Sequence, residues 1–170
     1  MTTTTLATAR SRALEPVQPG DLVVLIGAAA SGKTTLLQDV PAHQIVSLDQ
    51  LRAAVSEPGD QRATADALLL QHQILTARLR RGVTTYIDAV SGLPHHRLQL
   101  VDLARQHGRR PVAVLLRVPL DLCLARNARR PDHERVPEKV LCEQHAQTSA
   151  AAAALLGEGF AEIRYHRTGH

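Results

Sequence analysis

Nine consecutive residues near the start of the chain combine glycines, a lysine and threonines: Gly27, Ala28, Ala29, Ala30, Ser31, Gly32, Lys33, Thr34 and Thr35. Their spacing is that of a phosphate-binding loop, G-x-x-x-x-G-K-[ST]. Glycine allows the backbone angles at which successive N–H groups curl around a phosphate group, and a helix beginning near Lys33 adds the positive end of its dipole. The lysine of such a loop reaches the β- and γ-phosphates, and the hydroxyl of Thr34 can ligate Mg²⁺. The stretch therefore predicts binding of a nucleoside triphosphate together with Mg²⁺.

A carboxylate and a guanidinium follow the second predicted strand, Gln44–Leu48. Asp49 comes directly after that strand, where a carboxylate can accept the proton of a hydroxyl group that attacks the γ-phosphate. Arg52, three residues later, would share its face of a helical turn and could hold a phosphate of the acceptor. The alternative is that Asp49 only caps the short helix after it, a common role of aspartate. The pair predicts a site for the phosphoryl acceptor.

A second aspartate, Asp88, stands at the carboxyl end of the third predicted strand, Val83–Ile87. In many enzymes with a phosphate-binding loop, an aspartate at a strand end holds the shell of the metal ion. Asp88 is therefore a candidate for the Mg²⁺ shell or for contact with the acceptor. The alternative is a structural hydrogen-bond acceptor at the end of a buried strand.

Several arginines gather in a polar segment, residues 126–135, that Pro131 interrupts. Arg126 and Arg130 are four residues apart and share a helix face up to the proline. Two guanidinium groups on a hinged segment near a nucleotide would cover the charge that develops on the transferred phosphoryl group. The alternative is a solvated basic helix end that meets its own dipole favourably. We expect residues 126–135 to form a lid.

Apolar runs alternate with helical patterns along the chain. The predicted strands are Leu22–Ile26, Gln44–Leu48, Val83–Ile87, Pro111–Val118 and Ala161–Tyr165. The predicted helices are Lys33–Val40, Gln50–Val55, Thr64–Arg81, His95–His107, Pro119–Arg129 and Pro137–Gly157. Because nearly continuous apolar strands alternating with helices are typical of a parallel sheet covered on both faces, we predict a three-layer α/β/α fold. Ligands of such sheets bind beyond the carboxyl ends of the strands, so the loop, Asp49 and Asp88 should meet at one edge.

The composition indicates one domain with its own core, since the chain has 170 residues. We expect residues 1–19 to be a flexible tail and residues 20–170 to be that domain. The net charge of +4 is a weak indication of anionic partners. Cys123 and Cys142 lack metal-ligand spacing and are expected to be reduced thiols. No apolar run reaches membrane-spanning length and no signal-peptide core is visible, so the prediction is a cytoplasmic protein without a membrane partner.

Five stretches of the chain resemble the polynucleotide 5′-hydroxyl kinase family, in particular the kinase module of bacterial RNA end-healing and sealing enzymes. They are GAAASGKTT, VSLDQLR, DQRATADALL, YIDAVS and PLDLCLARNARRP, and together they span about Leu22 to Thr148. The resemblance implies the P-loop kinase fold with a five-stranded sheet in the order 2-3-1-4-5. It also implies an enzyme that transfers the γ-phosphate of ATP to a 5′-hydroxyl end of RNA or DNA.

The resemblance assigns roles to the candidate residues. The catalytic residues would be Lys33, Asp49 as general base, Arg52 on the acceptor's phosphate, and Arg126. ATP would be bound by the loop, residues 27–35, and by the lid arginines Arg126 and Arg130, with Thr34 on Mg²⁺. The acceptor would be bound by Asp49, Arg52, Asp88 and Arg97.

The chain departs from the family pattern next to the acceptor, where Asp-Ala-Thr-Asn becomes Asp88, Ala89, Val90 and Ser91. The acceptor could therefore instead be a small molecule, such as a nucleoside, a sugar or an antibiotic. A third hypothesis is a nucleotide-binding module that acts through a partner, which would need neither Asp49 nor Arg52. A polynucleotide acceptor needs a basic track leading away from Asp49, and the candidates for it are Arg52, Arg62, Arg97, Arg109 and Arg110.

Overall fold

Five parallel strands form the central sheet of the protein, whose computed structural model describes residues 13–167. The strands are β1 (Leu22–Ile26), β2 (Ile45–Ser47), β3 (Thr85–Asp88), β4 (Pro111–Arg117) and β5 (Glu162–Arg167). They lie in the order β2-β3-β1-β4-β5, and every neighbouring pair is parallel. The predicted parallel sheet and its strand order are both confirmed.

Helices cover both faces of this sheet, as the three-layer prediction requires. They are α1 (Lys33–Leu36), α2 (Leu48–Val55), α3 (Thr64–Arg80), α4 (Pro94–Gln106), α5 (Leu120–Ala128) and α6 (Glu138–Ala154), with 3₁₀ turns at Ala42–Gln44, Gln61–Ala63, Asp132–Glu134 and Leu155–Gly157. The largest difference from the prediction is α1, which ends at Leu36 rather than at Val40. Residues 37–40 continue as turns, because Pro41 has no N–H to donate and disfavours helical angles in the residue before it.

Two apolar cores lie on opposite faces of the sheet, because successive side chains of a strand point to opposite faces. The first contains Leu22, Val24 and Ile26 of β1 with side chains of α3, α4 and α6. The second contains Val23 and Leu25 with side chains of α1 and α5. All five residues of β1 are fully buried, as expected for a central strand covered on both sides.

The described part of the expected tail packs against the second core. Ala13 and Leu14 are buried there, and Arg164 of β5 donates a hydrogen bond of 2.8 Å to the carbonyl oxygen of Leu14. Ala13 and Leu14 are therefore part of the core, and flexibility of the rest of the tail stays a prediction. Residues 1–12, which the same expectation included, lie outside the described residues.

Within residues 13–167, no helix is both long enough and apolar enough to cross a membrane. The cytoplasmic location stays a prediction. Cys123 is buried and Cys142 is partly buried, and both are free thiols.

Candidate active site

The phosphate-binding loop connects β1 to α1, and its two glycines are required for different reasons. Gly32 has a φ of +97°, in the left-handed region that favours glycine. At Gly27 the requirement is space, because a Cβ atom there would lie 2.6 Å from Ser31 Oγ and 3.2 Å from Leu116 Cβ. We predicted that both positions need glycine for their backbone angles, and this holds for Gly32 alone. Ala30 also has a positive φ, 59°, a conformation that is uncommon for a residue with a Cβ atom.

Lys33 begins α1, and its ammonium group lies inside the loop. Nζ donates hydrogen bonds to the carbonyl oxygens of Gly27, at 2.8 Å, and Ala28, at 2.9 Å. Burial lowers the pKa of Lys33 to about 8, against the opposing effect of the Asp88 and Asp49 carboxylates. Asp88 contacts Thr34, the residue after the lysine, and Ser47, two residues before Asp49, is the register partner of Asp88, so both carboxylates lie at the same edge of the sheet as the loop. A buried cation in this position can meet the oxygen atoms of a phosphate group.

The end of β3 brings a carboxylate to the start of α1. Thr34 Oγ1 donates to Asp88 Oδ2 at 3.4 Å. Burial raises the pKa of Asp88, and nearby Lys33 lowers it in part. Hydroxyl and carboxylate oxygens are ligands that Mg²⁺ accepts, so the pair fits this ion. Within residues 13–167 no three His, Cys, Asp or Glu side chains form a metal site, so an ion held here would take further ligands from water and phosphate.

Asp49 and Arg52 lie in α2, beyond the carboxyl end of β2. Arg52 donates from Nη1 to Asp49 Oδ1 and from Nε to Thr64 Oγ1, which is 3.0 Å away. The Asp49 side chain is 87% exposed and that of Arg52 only 13%, so the guanidinium is fixed while the carboxylate stays accessible. The alternative in which Asp49 caps α2 is wrong, because Ser47 is the N-cap and its side chain accepts from Gln50 N.

The arginines of the predicted lid, residues 126–135, lie beside the loop. Arg126 Nη1 is 3.5 Å from the carbonyl oxygen of Ala30, to which it donates. Arg130 is close enough to Lys33 to contribute to the lowering of that lysine's pKa. The fold therefore brings both arginines to the nucleotide side of the sheet edge. Movement of this segment stays a prediction.

Asn127, which sequence reasoning missed, holds the two ends of the lid together. Its buried side chain donates from Nδ2 to Val136 O at 2.7 Å and accepts at Oδ1 from Val136 N at 3.1 Å. Residues 129–135 thus form a connection with a fixed base between α5 and α6. A sequence signal existed, because Asn127 lies four residues after Cys123 and so on the buried face of α5.

Gln144 of α6 is a second site residue that sequence reasoning missed. Its Oε1 accepts a hydrogen bond of 3.0 Å from Ala29 N, so a side chain holds one amide of the phosphate-binding loop. Gln147 and Thr148 of the same helix face Gly92, which follows β3. The helix that follows the lid is thereby attached to the loop. No local pattern marks Gln144, because this contact joins residues 115 positions apart.

Arg97 is fully buried and has structural partners. Its Nε donates to Glu158 Oε2 at 2.7 Å, and its Nη1 donates to the carbonyl oxygens of Ser91 and Gly92. The expected role of Arg97 in binding the acceptor is therefore wrong. A guanidinium can be fully buried only when its donors are paired, and those partners leave none of its surface for a substrate.

Arg109 and Arg110 lie just before β4, at the amino edge of the sheet. Arg110 Nη2 pairs with Asp21 Oδ2 at 2.8 Å there. The candidate site lies at the opposite, carboxyl edge, so neither arginine can lead an acceptor away from it. Of the proposed basic track, Arg52 lies at the site, and Arg62 is an exposed residue of the turn before α3 that pairs with Asp60.

A parallel sheet in the order β2-β3-β1-β4-β5, with a phosphate-binding loop after β1, defines the P-loop kinase fold. The chain belongs to the AAA domain family (AAA_33), which matches residues 22–155. No curated protein matches it.

Solved structures with this fold share little sequence with the chain. Three structures of the AvrRxo1-ORF1:AvrRxo1-ORF2 complex, one of them with ATP, have TM-scores of 0.67–0.70 at 16–17% identity, and the match covers 98% of this chain but 62% of that chain. A structure of the PezAT toxin–antitoxin system of Streptococcus pneumoniae has a TM-score of 0.61 at 13% identity, covering 98% of this chain and 79% of that one. Shikimate kinase from Acinetobacter baumannii, in complex with shikimate, has a TM-score of 0.51 at 13% identity. The match covers 94% of this chain and 89% of the shikimate kinase chain. At these identities the likeness shows the fold alone.

Proposed function

We propose that the protein is a phosphotransferase that moves the γ-phosphate of ATP to a hydroxyl group. The observation that carries the proposal is the buried Lys33 in the loop with Asp88 hydrogen-bonded to Thr34 beside it. Asp49 lies two residues beyond the register partner of Asp88, and Arg126 is bonded to the loop. A protein that only binds ATP needs no accessible carboxylate at this place. Similar folds in a complex with ATP and in shikimate kinase are in accord with an ATP donor and a hydroxyl acceptor.

The donor phosphates would be bound by the loop amides and by the ammonium group of Lys33. Thr34 and Asp88 would hold Mg²⁺, which neutralises part of the phosphate charge when it is bound. Arg126 and Arg130 lie where guanidinium groups can stabilise the charge that spreads over the transferred phosphoryl group. Such an interaction is strongest in the transition state, so it would accelerate transfer more than it tightens ATP binding.

Asp49 would accept the proton of the attacking hydroxyl group. As the new bond from that oxygen to the γ-phosphorus forms, the bond to the β–γ bridging oxygen breaks and ADP leaves. Arg52 holds one carboxylate oxygen by a hydrogen bond, which leaves the other oxygen for the hydroxyl. A carboxylate fixed from one side needs little reorganisation when the acceptor arrives.

Two acceptor classes follow from these contacts. A 5′-hydroxyl end of RNA or DNA is the first, because Asp49 and Arg52 match the base and the acceptor-phosphate arginine of the family that the sequence resembles. A small hydroxylated molecule is the second. It is favoured because Arg97 is buried in a pair with Glu158 and Arg110 pairs with Asp21 at the opposite edge of the sheet, so neither is available to a polynucleotide. Polynucleotide binding usually depends on several phosphate contacts, and few basic residues remain for them.

One assay tests the proposal and separates the two acceptors. The purified protein receives ATP labelled at the γ-phosphate and Mg²⁺, together with 5′-hydroxyl oligonucleotides of RNA and DNA or with nucleosides and sugars. We expect labelled acceptor with the wild type and none with Lys33→Met. Label found only in oligonucleotides supports the first class, and label found only in small molecules supports the second. Release of labelled phosphate without any labelled acceptor would contradict the proposal.

A further inference from the structure

The segment that connects β3 to α4, residues 89–93, touches both halves of the candidate site, and we call it the β3–α4 loop. It directly follows Asp88, whose Oδ2 accepts a hydrogen bond from Thr34. Its own Val90 accepts at the carbonyl oxygen from Gly27 N, 3.1 Å away. The β3–α4 loop therefore joins the carboxylate of Asp88 to the first residue of the phosphate-binding loop.

The backbone of the β3–α4 loop has a conformation that its residues do not favour by themselves. Ser91 is buried and has a φ of 51°, which is uncommon for a residue with a Cβ atom. At Gly92 a Cβ atom would lie 3.1 Å from both Cβ and Oε1 of Gln147, so this position has no room for a side chain. A conformation of this kind persists only where the surrounding contacts hold it.

Arg97 of α4 supplies such contacts. Its Nη1 donates to the carbonyl oxygen of Ser91 at 3.0 Å and to that of Gly92 at 2.6 Å. On the other side of the guanidinium, Nε and Nη2 donate to the two carboxylate oxygens of Glu158. The side chains of Arg97 and Glu158 are only 1% and 7% exposed. Because a guanidinium is planar and rigid, the bidentate pair with Glu158 fixes the direction in which Nη1 points at the β3–α4 loop.

The carboxylate that orients Arg97 comes from the end of α6. Glu158 follows the 3₁₀ turn Leu155–Gly157, which continues α6. The same helix carries Gln144, which accepts from Ala29 N in the phosphate-binding loop. The phosphate-binding loop and the β3–α4 loop are thus both attached to α6, one by Gln144 directly and the other by Glu158 through Arg97.

We propose that Arg97 is a positioning residue, which sets the place of Asp88 relative to the phosphate-binding loop through Ser91 and Gly92. It would contact neither ATP nor the acceptor. This inference rests on the proposed phosphoryl transfer, since it assigns Arg97 to the geometry of that site. Without Arg97 the phosphate-binding loop should still bind ATP, whereas Asp88 and Val90 lose their fixed place. A displacement of about 1 Å in such a site can lower the rate by about 10²-fold.

Two variants separate positioning from stability. Arg97→Met combined with Glu158→Leu removes both charges, and replacement of a buried ion pair by apolar residues often leaves stability unchanged. Arg97→Lys keeps a cation for Glu158 but lacks the planar fork. Both variants should lower turnover by about 10–10²-fold and change ATP affinity by less than about twofold. Thermal unfolding shows that each variant is folded at the assay temperature.

Arg105→Gln is the matched control, because Arg105 is an exposed arginine of the same helix that donates to Gly159 O, next to Glu158, at 2.6 Å. It should transfer phosphate like the wild type. Wild-type turnover in the folded double variant would overturn the proposal. A loss of turnover matched by an equal loss of ATP affinity would also overturn it.

Amide hydrogen exchange tests the same link without any activity. The amide of Gly27 is bonded to Val90 O, so in both variants it should exchange about tenfold faster than in the wild type. The amide of Val24, in the fully buried strand β1, should exchange at the wild-type rate. Unchanged exchange at Gly27, or equal acceleration at Gly27 and Val24, would overturn the proposal. A wild type that transfers phosphate to no acceptor would refute the proposed function instead, and the exchange rates would still decide whether Arg97 positions the loop.

Discussion

The donor half and the acceptor half of the candidate site differ in how firmly the fold holds them. In the donor half, Lys33 is buried and bonded to two carbonyls, and a distant glutamine holds the amide of Ala29. In the acceptor half, Asp49 is 87% exposed and is held by Arg52. The phosphate-binding half is part of the core structure, whereas the acceptor half lies on an accessible helix. The acceptor residues can therefore vary without disturbing the fold, and the fold does not identify the acceptor.

Replacement of Asp49 tests the acceptor half of the site and should cause the largest loss of phosphoryl transfer. Asp49→Ala should lower phosphoryl transfer by about 10²–10⁴-fold because it removes the general base, while Lys33 and the loop still bind ATP. Asp49→Asn keeps the shape and can still accept from Arg52, but it cannot take a proton, so it should be nearly as inactive. Initial rates and ATP titrations of both variants check this. An active Asn variant would remove Asp49 from the mechanism.

Arg126 tests the donor half in the transition state. Arg126→Ala should lower turnover by about 10²-fold while weakening ATP binding much less, because charge spreads over the phosphoryl oxygens mainly in the transition state. Arg129→Ala is the matched control, since Arg129 is an exposed arginine three residues along the same segment. Turnover and ATP affinity are measured separately. Equal losses in both quantities would mean that Arg126 only binds ATP.

The lowered pKa of Lys33, about 8, predicts that ATP affinity depends on pH. The ammonium group is charged below this pH and neutral above it, so affinity should fall by up to about tenfold per pH unit above 8. Bound phosphate favours the charged form, so the midpoint refers to the free protein. Affinity measured from pH 7 to 10 should show this fall in the wild type and not in Lys33→Met. Parallel curves for the two proteins would assign the pH effect to other groups.

The same pKa shift makes folding stability depend on pH in the direction opposite to ATP affinity. Between pH 8 and 10.5 the unfolded chain binds more protons at Lys33 than the folded chain does. Folding stability should therefore rise with pH in this window, relative to Lys33→Met. Chemical unfolding at several pH values gives the difference. A constant difference between the two proteins would show that Lys33 titrates normally in the fold.

Replacement of Arg62 should have the smallest effect on activity, and it helps to decide between the two acceptor classes. Its solvent-exposed pair with Asp60 contributes little to stability, so Arg62→Gln should unfold almost like the wild type. Transfer to a small acceptor should stay unchanged, because the side chain is 92% exposed and bonded only locally. Transfer to oligonucleotides at several salt concentrations is the informative measurement. A reduced salt dependence in the variant would indicate a phosphate contact and support a polynucleotide acceptor.

The sheet and the phosphate-binding loop could be predicted because their determinants are local in the sequence. The apolar run Leu22–Ile26 is long enough for one buried strand, and the spacing from Gly27 to Thr34 specifies the turn that follows it. Element ends were displaced by a few residues, as at the end of α1, because backbone hydrogen bonds at helix ends depend on their surroundings. The order of the strands was predicted from a family resemblance, and the structure confirms it.

Only the tertiary structure decided which polar residues belong to the site. In the sequence, Arg97 looks like an arginine that could lie on the surface and bind a substrate. In the structure it is buried and paired with Glu158, 61 residues away. Gln144 resembles a surface glutamine, yet it reaches an amide of the loop across 115 residues. The sequence determines the charge and the hydrogen-bonding capacity of each side chain. The partner that satisfies them is set by distances in space, and these exist only after the helices have packed on the sheet.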